Sequence, residues 1–174
     1  MLFALLQVRF VGNVGVGGSD LKVSELRDSY NAVVLAYGAA KDRHLDIPGE
    51  SLSNVIPART FVGLYNGLPE AVSASEGVRL DTSDTAVVVG VGNVALDVAR
   101  MLLTPLDVLA KTDMTDQALE LLKTSTIRRV HVVGRRGPMH VAFTIKELRE
   151  MVNLQGCTPI FDKQVGWAFF CQVP

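Results

Sequence analysis

TAVVVGVGNVALDVARMLL, residues 85–103, reads as a hydrophobic strand that turns directly into a helix. Between the two, Gly90, Gly92 and Ala95 are spaced as G-x-G-x-x-A, the pattern of a turn that carries a dinucleotide. The geometry explains the residue types. Gly90 permits a tight turn as the strand ends. Gly92 has no side chain, so a pyrophosphate can approach the backbone. Ala95 keeps helix and strand close, and the helix N-terminus points N–H groups and a partial positive charge at the phosphates. Glycines also serve ordinary strand–helix turns. The run VVV before the turn and the clean helix after it select the dinucleotide reading.

The second strand decides which dinucleotide. RRVHVVGRRG (128–137) is strand-like, and at its end, where an acid would hold the 2′-hydroxyl of NAD, stand Arg135 and Arg136. Two guanidiniums there attract a 2′-phosphate and have no special use for a hydroxyl, so the expected nucleotide is NADP. The competing reading is a pair of solvated arginines. Glu147 has two readings as well. Thr144-Ile145-Lys146-Glu147 fits a capping box in which Glu147 reaches back to the Thr144 N–H, and a carboxylate beyond an arginine pair can also touch a ribose or orient a guanidinium.

Around this unit strands and helices alternate, the signature of an α/β layer structure with parallel strands. VRFVGNVGV (8–16) reads as a strand, LKVSELRDSY (21–30) as a helix, and NAVVLAYGA (31–39) as a buried strand. PARTFVGLYNG (57–67) makes a short helix stopped by Gly67, and 68–84 is a polar, exposed connection. Residues 104–127 supply two helical pieces, with Pro105 in a first turn and Thr115 as an N-cap, and TIKELREMVNLQG (144–156) is a helix closing at Gly156.

Composition narrows the classes. A chain of 174 residues, 48% hydrophobic, can bury an ordinary core, and a formal net charge of −1 gives no broad basic field for nucleic acid or an anionic membrane. Cys157 and Cys171 show no metal or dithiol spacing and read as two buried or free thiols in a reducing compartment, in preference to a single disulfide between them. The histidines (His44, His131, His140) form no metal spacing, and His131 reads as structural. Apolar runs fall short of the roughly 18 residues that span a bilayer. MLFALLQVRF has no basic lead and no clear cleavage site, so it reads as fold and no targeting segment is visible.

With these residues in view, the chain resembles the adrenodoxin reductase family, mitochondrial flavoproteins that pass electrons from NADPH to a small 2Fe-2S ferredoxin. The resemblance rests on GNVALDVARMLLTP (92–105), VVGRRGPMHVAFTIKELREM (132–151), YGAAKDRHLDIPGE (37–50) and FVGLYNGLPE (61–70), in the family's order. It implies that Val91-Gly92-Asn93-Val94 binds the NADP pyrophosphate region, that Arg135 and Arg136 bind the 2′-phosphate, and that Glu147 also contacts NADP. It implies that Val16 lies against the adenine of FAD. A glutamine usually stands where Val91 stands here, so a side-chain amide is replaced by an apolar group.

The resemblance implies a Rossmann-like NADP-binding domain at 57–162, part of a second, FAD-binding α/β domain at 1–56, and a divergent tail at 163–174. No counterpart of the family's own G-x-G-x-x-G for FAD precedes Val8, and Trp167 falls in the divergent tail. The implied activity is NADPH:ferredoxin oxidoreduction through FAD in the mitochondrial matrix, possible membrane association included. The alternatives are an NADP(H)-binding segment without turnover, or a related two-dinucleotide flavoprotein such as a glutamate synthase small subunit, against which VAFTIKELRE speaks. No catalytic acid, base or nucleophile is expected in this stretch.

Overall fold

The computed structural model describes residues 8–38, 42–74, 77–135, 140–162 and 167–172. The chain divides into two compact units, 1–41 and 42–174. In the first, the helix expected at 21–30 forms as α1 (Val23–Ser29), with the Glu25 carboxylate accepting from the Lys22 N–H at 2.7 Å. The strands expected at 8–16 and 31–39 do not form among the described residues. Val34 and Tyr37 are exposed rather than buried, and the ladder contact in this unit is one isolated bridge between Val16 and Leu21. A strand requires a hydrogen-bonded neighbour along its length. Apolar content alone does not supply one.

The second unit is a mixed α/β layer. Its elements are α2 (Ala58–Tyr65), α3 (Pro69–Ala74), β1 (Thr85–Val89), α4 (Asn93–Leu103), α5 (Leu106–Leu109), α6 (Asp116–Lys123), β2 (Arg129–Gly134), α7 (Ile145–Val152), β3 (Thr158–Asp162) and β4 (Trp167–Gln172). The sheet order is β1-β2-β4-β3. β1 and β2 pair in parallel from Thr85↔Arg129 to Val89↔Val133, joined by the crossover α4–α6. β4 runs antiparallel to both β2 and β3, so the segment read as a divergent tail contributes an interior strand.

The core follows from α4. Ala95, Leu96, Val98, Ala99 and Leu103 fall on one stripe of the 3.6-residue period, and all are buried. They join a cluster with Val130 and Val132 of β2, Met151 of α7 and Phe61 and Leu64 of α2. The period-2 alternation of β2 is visible in its burial, with Val130, Val132 and Gly134 inward. On β1 the alternate residues Val87 and Val89 stay exposed.

Turn chemistry is met in several places. α2 ends at Asn66 with Gly67 at φ 71°, and the Thr115 hydroxyl caps α6 by accepting from the Ala118 N–H. Two expectations shift. The stretch 68–84 is not simply an exposed connection, because it contains α3 and buried Ala71, Val78 and Leu80, whose isolated apolar side chains close the edge of the core. The helix expected to close at Gly156 stops at Val152, capped by the Asn153 N–H on the Arg149 carbonyl. Cys157 is disulfide-bonded, which overturns the expectation of free thiols. Cys157 directly precedes β3, whose antiparallel pairing with β4 sets Pro159 opposite Cys171.

Truncating the α4 stripe tests this core. Leu96→Ala is expected to lower the unfolding free energy by about 2–5 kcal/mol, whereas Val87→Ala on the exposed face should change it by under about 0.5 kcal/mol. Urea denaturation followed by circular dichroism measures both, and equal losses would contradict the burial pattern.

Candidate functional site

The parallel pairing places the carboxyl ends of β1 and β2 side by side, and the candidate residues gather there. Gly90 continues the ladder by one residue, its N–H donating to the Val133 carbonyl at 2.8 Å, and then takes φ 135°, which disfavours any side chain. Gly92 is the N-cap of α4 in ordinary extended conformation (φ −108°, ψ 177°). Its carbonyl accepts from the N–H groups of Ala95 and Leu96. The Asn93 and Val94 N–H groups ahead of them have no intrahelical acceptor, as at any helix start.

The glycines differ in what they make room for. A Cβ on Gly134 would lie 2.6 Å from Val91 Cγ1, so Gly134 is small because the glycine turn folds directly over the end of β2. A Cβ on Gly92 would meet nothing within 4 Å. Neither its backbone angles nor its packing requires glycine. Gly92 is partly exposed, and the space where its Cβ would stand is open at the start of α4, the place where a phosphate approaches in dinucleotide-binding turns.

Of the remaining sequence-derived residues, Asn93 and Val94 open α4 and Ala95 is buried behind them. Arg135 follows Gly134 at the end of β2 and is exposed. Arg136 lies outside the described residues. Glu147 stands in the first turn of α7, its carboxylate 4.0 Å from the Arg100 guanidinium. Val16 belongs to the first unit, where it is half exposed and bridges Leu21.

The capping box at 144–147 forms only in part. Thr144 Oγ1 accepts from the Glu147 N–H at 3.3 Å, but the Thr144 N–H donates to Asn93 Oδ1 at 2.7 Å. The donor that Glu147 was expected to satisfy is taken by a residue 51 positions away, which leaves the Glu147 carboxylate to Arg100. Nothing local in the sequence signals that contact.

A polar network was missed as well. Arg100 pairs with Asp97 on its own helix and with Glu150 of α7 at 2.6 Å, and the Tyr65 hydroxyl donates to Asp97 at 2.6 Å. The spacing of Asp97 and Arg100 on one helix face was a usable signal. Their partners on α2 and α7 were not. Burial, and the Asp97 carboxylate it bonds, push the Tyr65 phenol above its ordinary value. Among the described residues no group of His, Cys, Asp and Glu could hold a metal, and no helix is long and apolar enough to cross a membrane.

A parallel β–α–β unit with a glycine turn at the strand end and an arginine after the second strand defines a dinucleotide-binding domain of the α/β class. Sequence comparison makes this specific. The chain is 58% identical to the mitochondrial NADPH:adrenodoxin oxidoreductases of Bos taurus, over 153 residues, and Homo sapiens, over 154. It is 52% identical over 155 residues to NADPH-ferredoxin reductase FprA of Mycobacterium tuberculosis. Each match covers 88% of this chain, which spans about 30% of the two mitochondrial relatives and 33% of FprA. The solved structure of Mycobacterium tuberculosis FprA in complex with NADPH superposes with a TM-score of 0.68 at 52% identity, covering 83% of this chain and 31% of that one. No protein-family model matches the sequence. The chain is a partial chain of the adrenodoxin reductase family.

The network that holds α4 to α2 and α7 yields a direct test. Tyr65→Phe removes a part-buried hydrogen bond to a carboxylate and is expected to cost about 1–2 kcal/mol, at the low end for a charged acceptor because Asp97 keeps Arg100. Chemical denaturation measures it, and an unchanged midpoint would show that the contact contributes nothing.

Proposed function

We propose that residues 57–162 are the NADP-binding domain of an NADPH:ferredoxin oxidoreductase, and that 1–56 belong to its flavin-binding part. The single observation that carries the reading is the unfilled space at Gly92, at a helix N-terminus and beside the strand end that carries Arg135. The turn from Gly90 to Ala95 holds the pyrophosphate, Arg135 and Arg136 take the 2′-phosphate, and Glu147 contacts the nucleotide from α7. Val91 contributes its backbone, since its side chain is engaged over Gly134.

The relatives' names support the wider activity, with NADPH as donor and adrenodoxin or another ferredoxin as acceptor, and those of the Bos taurus and Homo sapiens relatives support a mitochondrial location. FAD, when bound, supplies the exchange between a two-electron donor and one-electron acceptors. The described residues of the first unit do not make a flavin pyrophosphate cradle: they hold no strand leading into a glycine turn, and α1 has only seven residues. Val16 fits at most a contact with the flavin adenine. The protein's own contribution in this chain is therefore to bind and orient NADPH.

Two substitutions test the reading. Gly92→Val is expected to leave the far-ultraviolet circular dichroism unchanged, because a Cβ at this position meets nothing within 4 Å among the described residues, while abolishing NADPH binding by titration calorimetry. Native binding in that variant would make the turn purely structural. The unmodified chain should prefer NADPH over NADH by about a hundredfold or more, two charge-assisted contacts being worth roughly 1.5–3 kcal/mol each. Arg135→Ala with Arg136→Ala should remove most of that preference. Equal affinities in the unmodified chain would sink the assignment.

A further inference from the structure

The seam between α4 and α7 holds three carboxylates, and they are used unequally. Asp97 accepts from the Tyr65 hydroxyl at 2.6 Å and pairs with Arg100. Glu150 pairs with Arg100 at 2.6 Å and lies 3.8 Å from Lys146. Glu147 stands 4.0 Å from the same guanidinium, too far for a hydrogen bond, and its carboxylate accepts none among the described residues. The local task open to it, the Thr144 N–H, is already taken by Asn93. Arg100 is therefore gripped at short range by one carboxylate from each helix and reaches the third only through its field.

We propose that Arg100 is a positioning residue for the nucleotide, acting through Glu147. This rests on the assignment of Glu147 to the nucleotide. A carboxylate offers only acceptors, so its match there is a hydroxyl or amide donor and not a phosphate. Glutamate has several rotamers to lose when it orders. Held at ion-pair range by a guanidinium that is itself fixed, the Glu147 carboxylate is oriented before the nucleotide arrives, and its lone pairs are not spent in doing so. A lysine cannot replace this arrangement, because one ammonium lacks the planar fork that spans two helices.

A double-substitution cycle on NADPH affinity, measured by titration calorimetry on the 174-residue chain, tests it. Glu147→Ala is expected to weaken binding about tenfold, Arg100→Lys about fivefold, and the pair no more than about tenfold, because residues that act through one another do not add. A merely structural tie between α4 and α7 would instead lower affinity by the same factor with or without Glu147. Arg100→Gln, which is expected to lose at least as much as the lysine variant, closes the same cycle should that variant unfold, and circular dichroism checks both. Affinity retained in Arg100→Lys and lost only in Arg100→Gln overturns the proposal, since charge alone then suffices. Losses that multiply in the double variant overturn it as well. Unchanged affinity in Glu147→Ala alone sinks the Glu147 assignment, and the proposal falls with it.

Discussion

The parallel pairing of β1 with β2 is the constraint on which the rest depends. Two parallel neighbours cannot be joined by a tight turn, so a crossover must carry the chain back, and α4 to α6 do so. The crossover begins with a helix N-terminus at the carboxyl end of β1. The same pairing brings the carboxyl end of β2 beside it, so Gly90, Gly92 and Arg135, 43 residues from Gly92, meet at one edge of the sheet. A helix start supplies a weak positive field and a guanidinium a strong one, and the register alone makes them neighbours.

The glycines show how physical context separates structure from site. Gly63 and Gly67 would each push a Cβ into a neighbour, Ala71 at 2.6 Å and Thr115 at 2.5 Å, and Gly134 would collide with Val91. Those three are explained by the protein itself. Gly90 is explained by its positive φ. Gly92 has neither reason, and the open space beside it lies at the start of α4, where the proposed reading puts the pyrophosphate.

Much of the second unit was legible because its elements declare themselves locally. VVV followed by a helical stripe, alternation along 129–134 and the hydroxyl cap at Thr115 are short-range signals, and each element forms where expected. What was not legible depends on distant partners. The apolar runs at 8–16 and 31–39 resemble strands, yet no ladder forms on them among the described residues, and a pattern of side chains does not reveal whether a neighbour exists. β4 gave the opposite surprise: WAFFCQ carries no family signature, but two strands flank it. At the site the contiguous turn was readable. The Asn93–Thr144 contact and the Tyr65–Asp97–Arg100–Glu150 network span three helices and were not.

That network bears on the electrostatics of an anion site. α4, which begins at the glycine turn, and α7, whose N-cap Thr144 donates to Asn93 of α4, carry the three carboxylates Asp97, Glu147 and Glu150. Unpaired, they would oppose a dinucleotide bearing several negative charges. Arg100 stands among all three, and Lys146 lies 3.8 Å from Glu150, so two cations offset three anions within one seam. Because Arg100 is held by these partners, it is not free to serve the nucleotide as a ligand. Among the described residues Arg135 stands exposed at the end of β2, where the proposed reading puts the 2′-phosphate. The same seam thus offsets the acids of the two helices and leaves Arg135, at the end of β2, outside it.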